Sequence, residues 1–410
     1  MTKRRDFIKK SILGSTGIAI GGLGFSTKST ASTSVSDVLF QKDWHTDPKW
    51  SKIKYGDWGG PGVSGESGPM DEILVKDHAP RSSVVTPETF VPKAKYPVID
   101  SHVHVVGKTP DEVAEWVRTM DEVGMEKSLV LTGAIGKEFD SLVELLPKAY
   151  PGRFLLYCGM DRSDVENPDY SDRVVAELER CHKKGALGVG EISDKGSGIV
   201  SPKYDGNYAK SASLPRNRRL HPDDERLDEF WEKCAELKMP VSLHVADHPS
   251  CWTPLDVYQE RTPDYQHFNQ FGKDIPSFDE LMDKRNRTLV KHPNTIFVAC
   301  HLGNQGHDLA KLSEAMDKYP NLYLDTSARD YELGRTPRNS AKFLAKYKDR
   351  IVFGTDMGRK LSMYQIHWRL LETDDEYIVG RAGWRIYGLE LAAPVLESLY
   401  RGTAKRIFNI

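Results

Sequence analysis

From residue 96 to the C-terminus, short apolar runs alternate with segments whose apolar residues recur every three or four positions. Runs of the first kind predict buried strands, and segments of the second kind predict amphipathic helices. The predicted strands are residues 97–104, 127–132, 153–160, 187–193, 240–246, 295–301, 321–326 and 350–355. The predicted helices are residues 111–123, 139–149, 171–184, 224–237, 278–291, 310–318 and 340–347.

Eight strands with helices between them, spread over about 310 residues, predict a (β/α)8 TIM barrel. A doubly wound open sheet is the alternative, but no G-x-G-x-x-G follows the first strand. Two connections that follow strands are unusually long, residues 194–221 and 247–277. In a barrel both connections lie at the C-terminal mouth, where we expect them to act as lids over a substrate.

The N-terminal region does not follow this alternation. Arg4 and Arg5, the glycine-rich apolar run 12–25 and the small residues 29–31 predict a twin-arginine signal peptide over residues 1–31. A basic N-terminal helix or a membrane anchor is the alternative, which the short, glycine-broken run disfavours. We therefore expect the twin-arginine machinery to export the folded protein to the periplasm.

Residues 32–95 are predicted to be an irregular leader, because glycine and proline recur throughout them. The leader contains Trp44, Trp50, Tyr55 and Trp58. Disordered linkers are usually poor in aromatic residues, so this content favours a strap that lies over the main domain. The main domain is expected to comprise residues 96–410.

Composition argues against several classes of function. The net charge of −2 and the pI near 6.7 argue against a general nucleic-acid binder. After the N-terminus no apolar run approaches the length of a membrane-spanning helix, so no stable membrane insertion is expected. The five cysteines are scattered and form no C-x-x-C, which indicates neither a zinc ribbon nor a disulfide framework. The oligomeric state stays open, a homo-oligomer included.

Several predicted strands end in side chains that bind metals. His102 and His104 lie two positions apart, so in a strand they point to the same face. His244, His301 and Asp356 end later strands. Any one of them has a simpler interpretation: a histidine at a strand end with its hydrogen bonds satisfied by the protein, or an aspartate that caps the next helix. Because all strands of a barrel end at one mouth, we expect these side chains to meet there as a transition-metal site.

These strand ends resemble the amidohydrolase superfamily, in particular its second large family, which includes decarboxylases, hydratases and lactonases. The resemblance covers residues 96–410 and rests on I-D-S-H-V-H at 99–104, His244, A-C-H-L-G at 299–303, F-G-T-D at 353–356 and a closing helix at 395–408. It implies a barrel in which His102, His104, His244 and Asp356 bind one divalent metal, with His301 beside it in catalysis. The family also has metal-free members.

The chemistry of that donor set is consistent with the resemblance. Imidazoles and one carboxylate suit zinc, with manganese or iron as alternatives. Asp356 can bind the metal and also accept a proton from a metal-bound water, and His301 can move protons or stabilise an oxyanion. Glu191 ends the fourth strand, where binuclear members of the superfamily have a bridging lysine or carboxylate. We expect it to be catalytic, as a partner of the ligands, a proton carrier or a ligand of a second metal.

Three arginines are predicted to bind an anionic substrate. Arg329 follows the seventh strand, where it can grip a carboxylate; an ion pair with Asp325 is the alternative. Arg218 and Arg219 lie in the first long connection as part of a basic cluster that would draw an anion; a solvated loop is the alternative.

Together these features predict a metal-dependent hydrolase that acts on an oxygen-rich anion, either a sugar-acid lactone or ester or a uronate-containing oligosaccharide. A hydro-lyase that acts next to a carboxylate is the first alternative, and a decarboxylase is the second. A non-catalytic barrel that binds a ligand is the remaining alternative, which the number of metal-capable strand ends disfavours.

Overall fold

The computed structural model describes residues 68, 71–74, 77, 81–199, 219–256, 259–261, 268–380 and 384–410. The chain divides into two compact units, Met1–Leu74 and Val75–Ile410, and all the elements named below lie in the second. The predicted signal peptide, the leader up to residue 67 and Arg218 lie outside the described residues. The export signal and the domain boundaries therefore stay predictions.

Eight parallel strands form one sheet in which each strand pairs with the next along the chain. They are β1 (Val98–Val103), β2 (Met125–Leu131), β3 (Phe154–Cys158), β4 (Gly188–Asp194), β5 (Val241–Val245), β6 (Phe297–Ala299), β7 (Leu322–Asp325) and β8 (Ile351–Val352). Backbone hydrogen bonds from Ser101 N to Phe353 O and from Asp356 N to His102 O, both 2.8 Å, connect the segment after β8 to β1. The sheet is thus a nearly closed barrel, and the predicted TIM-barrel fold is confirmed.

Helices alternate with these strands. They are α1 (Pro110–Val123), α2 (Gly136–Val143), α3 (Tyr170–Lys183), α4 (Asp228–Glu236), α5 (Phe278–Lys291), α6 (Leu309–Lys318), α7 (Asp330–Arg335), α8 (Pro337–Lys346), α9 (Leu361–Glu372), α10 (Ala393–Glu397) and α11 (Thr403–Phe408). Helices α1 and α5 begin at capping boxes, in which Thr109 and Ser277 accept a hydrogen bond from the backbone N–H three residues later. Such caps fix where a helix starts, and α5 has the bounds that the sequence predicts.

Two apolar clusters hold the barrel together. The larger one comprises the outward-facing strand residues and the helix faces that cover them, with Trp116, Trp231 and Trp368 fully buried in it. The smaller one combines Ile99, Leu129, Leu131, Tyr157, Val298 and Val352 from the strands with Ala404, Ile407 and Phe408 from α11. The C-terminal helix therefore packs against the inward-facing residues of the barrel.

Part of the predicted leader is held against the barrel. Thr89 donates hydrogen bonds from its backbone N–H and its hydroxyl to the Asp375 carboxylate, both at 2.7 Å. Thr86 donates its hydroxyl to the carbonyl of Glu376 at 2.9 Å, and the backbone N–H of Ala94 donates to Val123 O at 3.0 Å.

The structure differs from the predicted elements in two places that affect the argument. The sixth strand ends at Ala299, and the chain then turns through Cys300–Gly303, where His301 and Leu302 have φ values of 60° and 53°. Helix α9 was not among the predicted helices, although Tyr364, Trp368 and Leu371 recur on its buried face. Within the part of the chain that is described, none of the helices combines the length and the apolar character needed to span a membrane.

Candidate metal centre at the barrel mouth

His102 and His104 lie at the end of β1, and one ring nitrogen of each is hydrogen-bonded to another protein group. The Nδ1 of His102 is 2.9 Å from Asp325 Oδ2, and the Nδ1 of His104 is 3.2 Å from the carbonyl oxygen of Leu131. Because these partners are acceptors, each Nδ1 carries the proton when the ring is neutral. Each Nε2 is then left with a lone pair that can bind a metal.

Two carboxylates face these Nε2 atoms. An oxygen of Glu191 is 3.7 Å from His102 Nε2 and 3.2 Å from His104 Nε2. An oxygen of Asp356 lies at the same two distances from the same two atoms. Asp356 has a φ of 58° and its backbone N–H bonds to His102 O, so the turn after β8 directs it at β1.

His244 and His301 lie on the other side of Glu191. The Nδ1 of His244 contacts Glu191 Oε1, and the Nε2 of His301 is 3.7 Å from the same oxygen. The two rings meet edge to face, with centroids 4.5 Å apart. Glu191 therefore lies between the β1 histidines and the histidines of β5 and the turn after β6.

Two further aspartates orient the histidines from outside. Asp325, at the end of β7, accepts hydrogen bonds from His102 Nδ1, from the backbone N–H of His301 (2.8 Å) and from Ser327. Asp247, just after β5, has its Oδ1 3.3 Å from His244 Nε2. With Nε2 donating to Asp247, His244 presents the lone pair of Nδ1, the nitrogen that faces Glu191.

The ionisation of these groups follows from their contacts. Burial opposes the charge on His102, yet the Asp325 carboxylate raises the pKa of His102 well above its ordinary value. Burial also opposes the charge on His104, but contacts with Asp356 and Glu191 raise its pKa to about 9. Burial would raise the pKa of both carboxyls, and the neighbouring histidines hold them below their ordinary values instead. Without a metal, protonated imidazoles therefore balance the carboxylates.

His301 behaves differently from the other histidines. Burial and the nearby charge of His244 lower the pKa of His301 to about 4, so its ring is neutral at physiological pH. Its Nδ1 is 3.0 Å from Ser327 O, an acceptor, so Nδ1 carries the proton and Nε2, 3.7 Å from Glu191 Oε1, keeps its lone pair.

A divalent metal fits this donor set. The Nε2 of His102 is buried and has no hydrogen-bond partner among the described residues, which a bound cation would provide. Within the described part of the chain, four groups of neighbouring donors could hold an ion: His102, His104 and Glu191; His102, His301 and Asp356; Glu191, His244 and His301; and His102, Cys300 and Asp325. Imidazoles with carboxylates suit zinc, manganese or iron rather than magnesium or calcium.

The predicted residues are distributed as follows. The structure brings His102, His104, Glu191, His244, His301 and Asp356 together at the mouth. The Arg329 guanidinium donates to Ala328 O at 2.8 Å, contacts Asn304 and pairs with Glu332 at 3.0 Å, rather than with Asp325. Arg219 is buried and donates to Asp274 O at 2.5 Å.

Sequence reasoning missed Asp325, Ser327 and Asp247 as parts of this site. Asp325 ends β7 and Asp247 comes two residues after β5, so both follow the strand-end rule that singled out the histidines. Their partners are 223 and 3 positions away along the chain, respectively, and only the folded barrel brings Asp325 to His102.

Comparisons with known proteins matched a family model and several solved structures. A family model described as Amidohydrolase matches residues 99–410. Among solved structures, the chain is similar to an uncharacterized TIM-barrel protein from Bordetella bronchiseptica, with TM-score 0.45, 18% identity, and 72% of this chain and 81% of that chain covered. It is similar to 2,6-dihydroxybenzoate decarboxylase from Rhizobium, with TM-score 0.46, 16% identity and 77% and 99% covered.

It is also similar to 5-carboxyvanillate decarboxylase from Sphingomonas paucimobilis, with TM-score 0.47, 14% identity and 77% and 100% covered. No curated protein matches the sequence.

Proposed function

Because this chain belongs to the amidohydrolase family, we propose that it is a metal-dependent hydrolase whose one divalent cation is held by His102, His104, His244 and Asp356. The observation that carries the proposal is the buried, unpartnered Nε2 of His102, which faces two carboxylates while its Nδ1 is held by Asp325. Zinc is the proposed metal, with manganese and iron as the alternatives.

When bound, the cation would supply a water acidified toward neutral pH and a positive charge for a carbonyl oxygen. Asp356 has the more exposed of the two central carboxylates, 27% against 13% for Glu191. Its pKa is lowered by the hydrogen bond with His104, against the effect of burial, so it is ionised and can accept a proton from the attacking water. His301 is neutral and its Nε2 faces the site, so it can accept a hydrogen bond or a proton from the substrate or from water. Glu191 orients the histidines around it.

The proposed substrate is an oxygen-rich anion, a sugar-acid lactone or ester or a uronate-containing oligosaccharide. Support comes from the composition of the two long connections, which follow β4 and β5 along the chain. Hydrolysis is favoured because Asp356 is both ionised and partly exposed beside the proposed metal position.

A substrate panel tests the proposal. Zinc-loaded and manganese-loaded protein would be assayed with sugar-acid lactones, with methyl esters and oligosaccharides of uronic acids, and with phenolic acids. We expect acid release from the lactones and methyl esters, or new reducing ends from the oligosaccharides, and loss of either activity in Asp356→Asn. A new carbon–carbon double bond in the uronate products, seen by ultraviolet absorbance, would replace hydrolysis with elimination of water. Carbon dioxide release from the phenolic acids would replace it with decarboxylation, and turnover in none of the assays would contradict the anionic substrate.

We also propose that the protein works in the periplasm after twin-arginine export. The Arg4 and Arg5 pair ahead of the glycine-rich apolar run 12–25 supports this. Replacement of both arginines by lysine should keep the precursor inside the cell, whereas processed protein in the periplasm of that variant would contradict the proposal.

A further inference from the structure

Lys195 lies just after β4, beside the proposed metal ligand His244. Its ammonium group is 3.2 Å from Asp247 Oδ1. The same oxygen is 3.3 Å from His244 Nε2. Lys195 and His244 therefore contact one oxygen of Asp247 from two sides. Among the described residues, this places a lysine cation one carboxylate away from the metal centre.

The ammonium group of Lys195 is held at the mouth of the barrel by its neighbours. Its side chain is 21% exposed and Asp247 is 13% exposed, so the pair is neither fully buried nor fully hydrated. The ammonium also lies 5.6 Å from the centroid of the Phe268 ring, in the connection that follows β5. A cation between a carboxylate and an aromatic face is held in one place, and its attraction for an anion is screened less than in bulk water.

Two of the three arginines predicted to bind the substrate, Arg219 and Arg329, lie in the part of the chain that the structure describes, and both contact other protein groups. Arg219 is buried against the carbonyl of Asp274, and Arg329 against Asn304 and Glu332. Both have less exposed side chains than Lys195, 6% and 8% against 21%.

We propose that Lys195 is the specificity-determining residue for the substrate anion, and that it binds a carboxylate on the part of the substrate next to the group held at the metal centre. Asp247 positions both residues, because one of its oxygens contacts Lys195 and His244 together. The inference rests on the proposed function, since it needs a metal centre at His244. It names a single carboxylate of the substrate and the side chain that selects it.

The test uses small hydroxamates as probes, because the hydroxamate group binds a protein-held zinc without any need for turnover. Zinc-loaded full-length protein would be titrated calorimetrically with acetohydroxamate, which carries no further charge. The same titration would use malonic, succinic and glutaric monohydroxamates, which add one carboxylate at increasing distance. We expect at least one of the three to bind about two to five times more tightly than acetohydroxamate, which is the size of a partly screened ion pair.

Lys195→Met should remove that preference and leave the affinity for acetohydroxamate unchanged, whereas Lys195→Arg should retain it. The matched control is Lys311→Met, which breaks a Lys–Asp pair with Asp279 on the protein surface. If Lys195→Met does not fold, because Asp247 loses a partner, Lys195→Gln keeps a hydrogen-bond donor for Asp247 without the charge and should also lose the preference.

The outcomes separate this inference from the proposed function. Equal affinities for all four probes in the unaltered protein, or a preference that survives in Lys195→Met, would overturn the role of Lys195 and leave the metal centre standing. Failure of acetohydroxamate to bind to protein incubated with zinc would overturn the metal centre, and the inference with it.

Discussion

Replacement of Asp325 by asparagine tests how the protein prepares His102 for a metal. One Asp325 oxygen accepts from His102 Nδ1 at 2.9 Å, and the other accepts from the backbone N–H groups of His301 and Ser327 at 2.8 and 3.0 Å. Asparagine can keep the second set of contacts with its single oxygen. Its amide N–H2 then faces His102 Nδ1, so two donors oppose each other. The ring must lose that hydrogen bond or move its proton to Nε2, the proposed ligand atom.

The expected cost follows from the strength of the lost contact. A hydrogen bond to a charged group contributes about 1.5–3 kcal/mol. Loss of an outer partner of a metal-bound histidine weakens metal affinity by about 10-fold to 100-fold, or about 1.4–2.7 kcal/mol. The two ranges overlap, so we expect Asp325→Asn to bind zinc and manganese about 10-fold to 100-fold more weakly than the unaltered protein.

Metal affinity would be measured by competition with a fluorescent chelator, with near-ultraviolet circular dichroism to check that the variant is folded. Asp279→Asn is the matched control, because Asp279 is exposed and pairs with Lys311 and not with a histidine of the site. An affinity of folded Asp325→Asn within twofold of the unaltered protein would refute the claim that Asp325 orients His102.

Three further predictions concern the site and its support. A Cβ at Gly354 would stand 2.7 Å from His102 Cβ, so Gly354→Ala should weaken metal binding. Gly402→Ala is the control and should bind metal normally, because a Cβ there has no atom nearer than 3.6 Å. A metal affinity of Gly354→Ala equal to that of the unaltered protein would contradict the first expectation. Without metal, contacts with carboxylates raise the pKa of His104 to about 9 from its ordinary 6.5, so the unfolding free energy of metal-free protein should fall between pH 6.5 and about 9. Zinc affinity should rise over the same pH window, because His104 must release its proton to bind zinc. Calorimetry in two buffers measures the released protons, and a zinc affinity that does not change with pH would contradict this prediction. Phe408 is buried in the inner barrel cluster, so Phe408→Ala should cost about 3–5 kcal/mol in denaturant unfolding while metal stoichiometry stays the same; a cost below 1 kcal/mol would contradict its place there.

Much of the barrel could be predicted from the sequence, because strand and helix periods are local properties. The eight strands were placed correctly, and the ends that differ do so for reasons that are not local. The sixth strand stops at Ala299 because the backbone N–H of His301 turns to bond with Asp325, on the next strand. Nothing in the apolar run of residues 295–301 reports that bond.

For the site, too, the residues could be predicted from the sequence, but their contacts could not. The predicted set of strand-end residues does meet at the mouth, because parallel strands of a barrel end together. The sequence could not reveal that Glu191 lies between two pairs of histidines, or that Arg329 pairs with Glu332, because both depend on side-chain directions in the fold. Lys195 follows β4 in a loop rich in glycine and serine, and its distance from His244 depends on the register between β4 and β5.

The central claim is that one divalent cation binds at the strand ends that carry His102 and His104. The most direct test is elemental analysis of the protein, purified without chelator or histidine tag, beside a His102→Ala/His104→Ala double variant. We predict one zinc, manganese or iron per chain in the unaltered protein and none in the folded double variant. Metal retained by that variant, or absent from unaltered folded protein after incubation with all three cations, would contradict the claim. Two cations per chain would contradict the single-metal centre and make Glu191 a bridging ligand.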